Sequence, residues 1–302
     1  MVTMDDYAES VEITWCPGCG NFLIIRALKM AFVELGIEPH EVLLVSGIGQ
    51  AAKLPHYMKC NVINGLHGRT LSYATGAKIA NRNLIVIATS GDGDLYGEGG
   101  NHFIHTIRRN PDITVIAHNN QVYGLTKGQA SPTSDLGFVT RLQTGGVILS
   151  PFNPIAFAIS ANASFVSRGF AGDIEHLSKL IQTAIQHKGF SLVDVLQPCI
   201  SFNRVNTFAW YRDRVYKLED DYDPTDKITA FQKSQGCSLR SPTTSSYGGD
   251  KIPIGVICKH ARPTYEEQTP ALKDGPLFKA EVDYKLLDNL LEEFMRLSKK
   301  SN

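Results

Sequence analysis

The sequence predicts an α/β fold with a doubly wound, mostly parallel sheet, on three observations. Short apolar runs alternate with longer helix-like segments through about residue 200, the pattern of crossover units on a parallel sheet. Several of the helix-like segments begin beside Gly, Asn, Asp or Pro. The runs LIVIAT and TVIAH each end in a polar turn, SGDGD and NNQVYG, and open α/β sheets bind ligands beyond such strand ends.

In chain order, a helix is expected over residues 20–35, a strand over 42–45, a helix over 70–80 and a strand over 84–89. A helix over 98–109 and a strand over 113–117 follow, then a helix over 154–161, a strand over 164–167, a helix over 174–187 and a strand over 191–196. From residue 203 the alternation fades, and KSQGCSLRSPTTSSYGGDK reads as an irregular loop. Residues 1–202 are therefore expected to form the sheet domain and 203–302 an irregular C-terminal extension lying over it or over a partner. In the last segment, 280–297, Val282, Leu286, Leu287, Leu290, Leu291 and Phe294 recur at helical spacing, which predicts an amphipathic helix docked within the fold.

With 302 residues and 43% apolar content, the chain can bury a sizeable core. Its 30 basic and 30 acidic residues balance, so no overall field favours nucleic acid, a membrane surface or an acidic partner. The opening MVTMDDYAES lacks the basic flank and apolar core of a signal peptide, and no apolar run reaches the roughly 18 residues of a membrane span, so a cytoplasmic location is the default. Six cysteines in such a chain point to reduced thiols, metal ligands or catalysis rather than a disulfide framework.

The two turns carry the first chemistry. Magnesium takes oxygen donors in octahedral geometry and shares them with phosphates, so Asp92, Asn120 and the carbonyl of Val122 suffice from the protein. Gly91 and Gly93 permit close approach, while Gly97, Gly99 and Gly100 precede a helix whose amino end favours an anion such as diphosphate. Asp94, Gly124 and Leu125 of the same turns complete the expected cofactor-binding set. The plainer reading is two turns rich in Gly, Asn and Asp for conformational reasons, but their pairing on consecutive strands favours a ligand.

The second chemistry is sulfur. Cys16 and Cys19, three positions apart on a Pro-Gly turn, can reach one metal centre or act as a redox pair. In order, WCPGCGNF, SGIG, LPH, LHGR, ATG, GDGDLYG, VYGLTKGQASPT and VLQPC resemble segments of archaeal-type 2-oxoacid:ferredoxin oxidoreductase beta subunits, over about residues 12–216.

That resemblance implies the thiamine-diphosphate-binding fold, with thiamine diphosphate and Mg²⁺ held through Asp92, Asn120 and Val122 between the GDG and asparagine-pair turns. It further implies a 4Fe-4S cluster on four cysteines, of which Cys16, Cys19 and Cys199 match, while the position directly after GIG is Gln50. An amide oxygen is a hard, weak donor where such clusters take thiolates. Cys60 is the nearest substitute, about 15 Å along the chain from position 50 if the intervening residues are helical; Cys237 and Cys258 read as incidental.

His67 and Arg69 of LHGR, Lys53 and His56 of AAKLPHYM, and Thr126, Lys127 and Gln129 of GLTKGQ offer donors to a reactive ring or an anionic 2-oxoacid, with solvated loops as the alternative. His102 and His105 read as structural or surface residues. The family's partners are an alpha subunit that carries the activating glutamate, ferredoxin, the 2-oxoacid and coenzyme A, so the chain alone is expected to be inactive. Gln50 leaves open a non-redox thiamine-dependent decarboxylase or carboligase subunit, and a degenerate regulatory paralogue.

Overall fold

Strands buried on both faces read as unbroken apolar runs, and here such runs form the middle of one eight-stranded sheet. The computed structural model describes residues 1–235, 247, 250–273, 275–280 and 284–299. After the cysteine turn come α1 (Asn21–Glu34), β1 (Val42–Ser46), β2 (Asn61–Asn64), α2 (Thr70–Ala80), β3 (Ile85–Gly91), α3 (Gly100–Arg109) and β4 (Ile113–Asn119). A two-stranded ribbon, β5 (Val122–Tyr123) and β6 (Gln129–Ala130), is followed by α4 (Pro154–Ser160), β7 (Phe165–Phe170), α5 (Ile174–Gln186) and β8 (Ser191–Leu196). The remainder gives α6 (Phe208–Arg212), β9 (Val215–Lys217), α7 (Lys227–Ser234), β10 (Ile252–Lys259), α8 (Tyr265–Gln268) and α9 (Tyr284–Lys299).

The sheet runs β2-β1-β3-β4-β8-β7-β10-β9. It is parallel from β2 to β7; β10 then pairs antiparallel with β7 and parallel with β9. From β1 the chain goes to β2 on one side and crosses to β3 on the other, which makes the carboxyl ends of β1 and β3 a topological switch point.

Side chains alternate across the sheet. Val42 and Leu44 of β1 pack with Ile24, Leu28 and Phe32 of α1 and Leu177 and Ile181 of α5. Leu43 and Val45 pack on the opposite face with Leu71 of α2, Phe103 and Ile107 of α3, and Ile155 and Ile159 of α4. Helix α1 has no side-chain cap. Burial of Ile24, Leu28 and Phe32, about 1.5–3 kcal/mol each, outweighs the roughly 1 kcal/mol that a cap contributes.

The expected helices and strands of residues 20–196 all form, with small shifts at their ends. The extension differs from its expected character, because β9 and β10 join the main sheet. Pro253 and Gly255 disguise β10 in the sequence, yet Pro253 lies where β10 meets only the short β9. Most of the segment expected as an irregular loop, with Cys237, lies outside the described residues, as does Val282. Helix α9 forms but is not docked: Leu287, Leu290, Leu291 and Phe294 are 45%, 45%, 53% and 72% exposed. Among the described residues no helix is long and apolar enough to cross a membrane.

One buried histidine ties β4 to its neighbours. His118 Nδ1 lies 2.8 Å from Asn21 Oδ1 and Nε2 2.9 Å from Thr89 Oγ1, and burial pushes its pKa down to about 3. The folded chain therefore takes up this proton less readily than the unfolded chain, whose histidine titrates near 6.5. The stability contribution is complete above that value and is lost as pH falls towards 3. Going from pH 7 to pH 5 should cost about 2 kcal/mol through this residue. Urea denaturation of wild type and His118→Gln at both pH values checks this: the variant should show the shallower loss.

Candidate functional site

The switch point opens into a cavity. It is lined by Ile48, Gly49, Gln50 and Ala51 after β1, by Gly91 to Asp94 after β3, and by Asn120 and Val122 to Thr126 after β4, with His67 at its side. Asp92, Asn120 and Val122, drawn from two separate turns, thus meet in one place. A Cβ built at Gly91 meets only Ala51 Cβ at 3.9 Å, so the strand end has open space beside it. Gly93 is needed for packing instead, since a Cβ there would lie 2.4 Å from the Tyr123 ring. Gly97, Gly99 and Gly100, expected to offer an anion site ahead of α3, are not part of this lining.

Two aspartates sit side by side with different surroundings. Asp94 accepts hydrogen bonds from the Gly68 amide at 2.7 Å, the Ile48 amide at 3.2 Å, Thr70 Oγ1 at 3.1 Å and Ser90 Oγ, and pairs with His67 Nδ1 at 2.6 Å. It pins the loops after β1 and β2 to the end of β3. Gly47 must be glycine for this, as a Cβ there would lie 2.1 Å from Asp94 Oδ2.

Asp92 is 1% exposed, and its Oδ2 lies 2.5 Å from both Ser131 Oγ and Thr133 Oγ1. Burial pushes its pKa up to about 6, against the lowering by Ser131, Thr133 and the Gly93 amide. Behind it, Thr133 Oγ1 is 3.0 Å from Asn119 Oδ1, and Asn119 Nδ2 donates to Asp194 at 3.3 Å. Asp194 also accepts from Tyr96 at 2.8 Å and faces the fully buried Arg168 at 3.9 Å.

A second cavity adjoins the first. Cys16, Cys19 and Cys199 line it together with Trp15, Gln50, Gln197 and others, and Gln50, Asn120 and Gly124 belong to both linings. Gln197 bridges them, accepting from Asn120 Nδ2 at 3.0 Å and donating to Cys19 Sγ at 3.5 Å. Burial pushes the Cys19 thiol up to about 11, with smaller contributions from its neighbours Cys199 and Cys16. Cys60 is not in this lining; it packs against the α1 face of the core, its thiol pushed up to about 12 by burial. Among the described residues no group of three or more His, Cys, Asp or Glu side chains is placed to hold a single metal ion.

Of the donor candidates, Thr126 also lines the first cavity, whereas Lys53, His56, Arg69, Lys127 and Gln129 fall outside it. Arg69 and Lys127 are exposed, and Lys53 is half-buried with Nζ 3.2 Å from Thr14 Oγ1. His67, Asp94, Gly124 and Leu125 all line it.

Comparison with known proteins agrees with this layout. Residues 45–195 match the thiamine pyrophosphate enzyme, C-terminal TPP binding domain, and residues 199–274 match the C-terminal family of the pyruvate ferredoxin oxidoreductase beta subunit. The chain is 44% identical over 289 residues to the 2-oxoacid:ferredoxin oxidoreductase subunit beta of a Sulfolobus species, covering 94% of this chain and 92% of the relative. It is 46% identical over 271 residues to that of Saccharolobus solfataricus, covering 87% and 88%. The chain belongs to the 2-oxoacid:ferredoxin oxidoreductase beta subunits.

The fold of this beta subunit also superposes on a solved 2-oxoglutarate:ferredoxin oxidoreductase from Magnetococcus marinus, which has 2-oxoglutarate, coenzyme A and succinyl-CoA bound. The TM-score is 0.87 at 32% identity, over 96% of this chain and 95% of the other. The thiamine-binding fold and the oxidoreductase assignment are therefore those of the family, and neither the non-redox nor the regulatory alternative is favoured.

Sequence reasoning missed Ser131, Thr133 and Gln197. The first two lie within VYGLTKGQASPT and the third in VLQPC, but only the folded ribbon β5-β6 brings the hydroxyls onto Asp92. Thr133→Val removes the hydroxyl shared by Asp92 and Asn119 and should cost the beta subunit about 1–3 kcal/mol. Thr133→Ser, which keeps it, should cost less; urea unfolding midpoints of the two variants make the comparison.

Proposed function

We propose that this beta subunit holds the diphosphate of thiamine diphosphate through Mg²⁺ in the first cavity and a 4Fe-4S cluster in the second, for oxidative decarboxylation of a 2-oxoacid to its acyl-CoA. The observation that carries the reading is the meeting of Asp92, Asn120 and Val122 in one cavity, joined through Gln197 to a cavity with three cysteines.

The donor set fits magnesium. Ser131 and Thr133 occupy Asp92 Oδ2, which leaves Oδ1 for a cation, and Asn120 Oδ1 receives only the Val122 amide at 3.1 Å and keeps a second lone pair. A cation also compensates the charge that burial disfavours at Asp92. Bound there, thiamine diphosphate supplies the nucleophilic carbon and electron sink that decarboxylation of a 2-oxoacid needs. The chain's residues anchor the diphosphate end, Gly124 and Leu125 line the wall beyond it, and His67, held by Asp94, faces the same space.

Three thiols line the second cavity, and thiolates are the ligands that iron-sulfur clusters take. Gln197 and Asn120 join the cysteine cavity to the cofactor cavity through one hydrogen-bonded side-chain pair, which supports transfer of single electrons onward to ferredoxin.

Only one thiamine half-site is present among the described residues, so the activating carboxylate comes from an alpha subunit. The complex of both subunits should release CO₂ from a 2-oxoacid and reduce ferredoxin in a coenzyme A-dependent reaction. The isolated beta subunit should show none of this activity, and Asp92→Ala in the complex should lower turnover at least about 100-fold. Full turnover by the purified beta subunit alone would refute the proposal.

A further inference from the structure

Cys16, Cys19 and Cys199 share their cavity with an amide, Gln50, where a fourth thiolate would complete the set. The backbone there is fixed from both sides. Trp15 Nε1 donates to the Gln50 carbonyl at 2.9 Å, and Gly49 at φ +127° turns the chain after β1 in a conformation that L side chains rarely adopt. The side-chain oxygen, Gln50 Oε1, is buried without a hydrogen-bond partner. Leaving such an oxygen unsatisfied is unfavourable.

Nearby donors are already engaged. Gln197 Nε2 serves Cys19 Sγ and the Pro198 carbonyl, Asn120 Nδ2 serves Gln197 Oε1, and Ser201 Oγ serves Cys16 Sγ at 3.2 Å. Cys60 belongs to the core, not to this cavity. The oxygen lacks a donor for its lone pairs, and a four-iron cluster on three thiolates lacks one ligand.

We propose that Gln50 Oε1 is the fourth ligand, binding the one iron of the cluster that no cysteine reaches. The inference rests on the cluster reading above and goes beyond it by naming a donor that differs from the family's. Two properties follow. A neutral amide in place of a thiolate makes the cluster one unit less negative and raises its reduction potential. A hard, weak donor on a soft centre also makes that iron labile. Oxidation by one electron, taken by ferricyanide, then releases the fourth iron as Fe²⁺; the 2+ core becomes a 3Fe-4S core of charge 1+, with all four sulfides and three thiolates retained.

The test uses anaerobically purified alpha-beta complex as wild type, Gln50→Cys and Gln50→Ala, with a Cys16→Ser complex as the baseline for iron bound elsewhere. Iron and sulfide are measured with electron paramagnetic resonance before and after stoichiometric ferricyanide. Wild type should lose one iron per beta subunit, keep its sulfide and gain the spin-half signal of a three-iron cluster. Gln50→Cys should keep four irons and show a lower midpoint potential, and Gln50→Ala should lose iron faster than wild type. Four irons stable to oxidation in wild type, identical behaviour of wild type and Gln50→Ala, or a cluster found only in Gln50→Cys would overturn the assignment of Gln50. Absence of iron and sulfide above baseline in both wild type and Gln50→Cys would instead overturn the cluster reading itself.

Discussion

A buried carboxylate without enough compensation organises this site. Asp94 is surrounded by backbone amides, two hydroxyls and a histidine, and it holds three loops together. Asp92, two residues earlier, has the two hydroxyls of Ser131 and Thr133 and the Gly93 amide, and burial raises its pKa in spite of them. A charge in that position is stable only when something positive meets it. The chain brings Asn120 and Val122 to the same cavity, and these are donors for a cation rather than cations themselves. The sheet, the ribbon β5-β6 and the network back to Arg168 all serve to keep that carboxylate in place.

One wall lines both cavities. Gln50, Asn120 and Gly124 belong to both linings, so a change at any of them reaches both. Gln197 extends the connection, because one amide satisfies both Asn120 and Cys19. A Cβ at Gly20 would lie 2.8 Å from Gln197 Cγ, which explains why the cysteine motif ends in glycine.

Much of this was legible in the sequence because strand ends and turn residues are local features. The GDG turn and the asparagine pair lie on consecutive strands, so any parallel sheet that pairs β3 with β4 brings them together. Cys16 and Cys19 were legible as a pair by their spacing, whereas Cys199 was reached only through the family resemblance of the QPC segment after β8. Contacts across long separations were hidden: Ser131 and Thr133 reach Asp92 only through the β5-β6 ribbon, and Arg168 meets Asp194 only because β7 lies beside β8. Strand β10 was obscured by Pro253 and Gly255, and the periodicity of α9 gave its helix but not the exposure of its apolar face. Periodicity fixes which residues share a face, not what covers it.

We propose that a divalent cation between Asp92 and Asn120 is what lets the cofactor dock. Calorimetric titration of thiamine diphosphate into the alpha-beta complex tests it most directly, in Mg²⁺, in excess chelator, and in Mg²⁺ with the variant Asp92→Ala. Saturable uptake of about one equivalent per beta subunit in Mg²⁺, lost in the other two conditions, is the predicted result. Equal uptake in all three, or none in any, would contradict it.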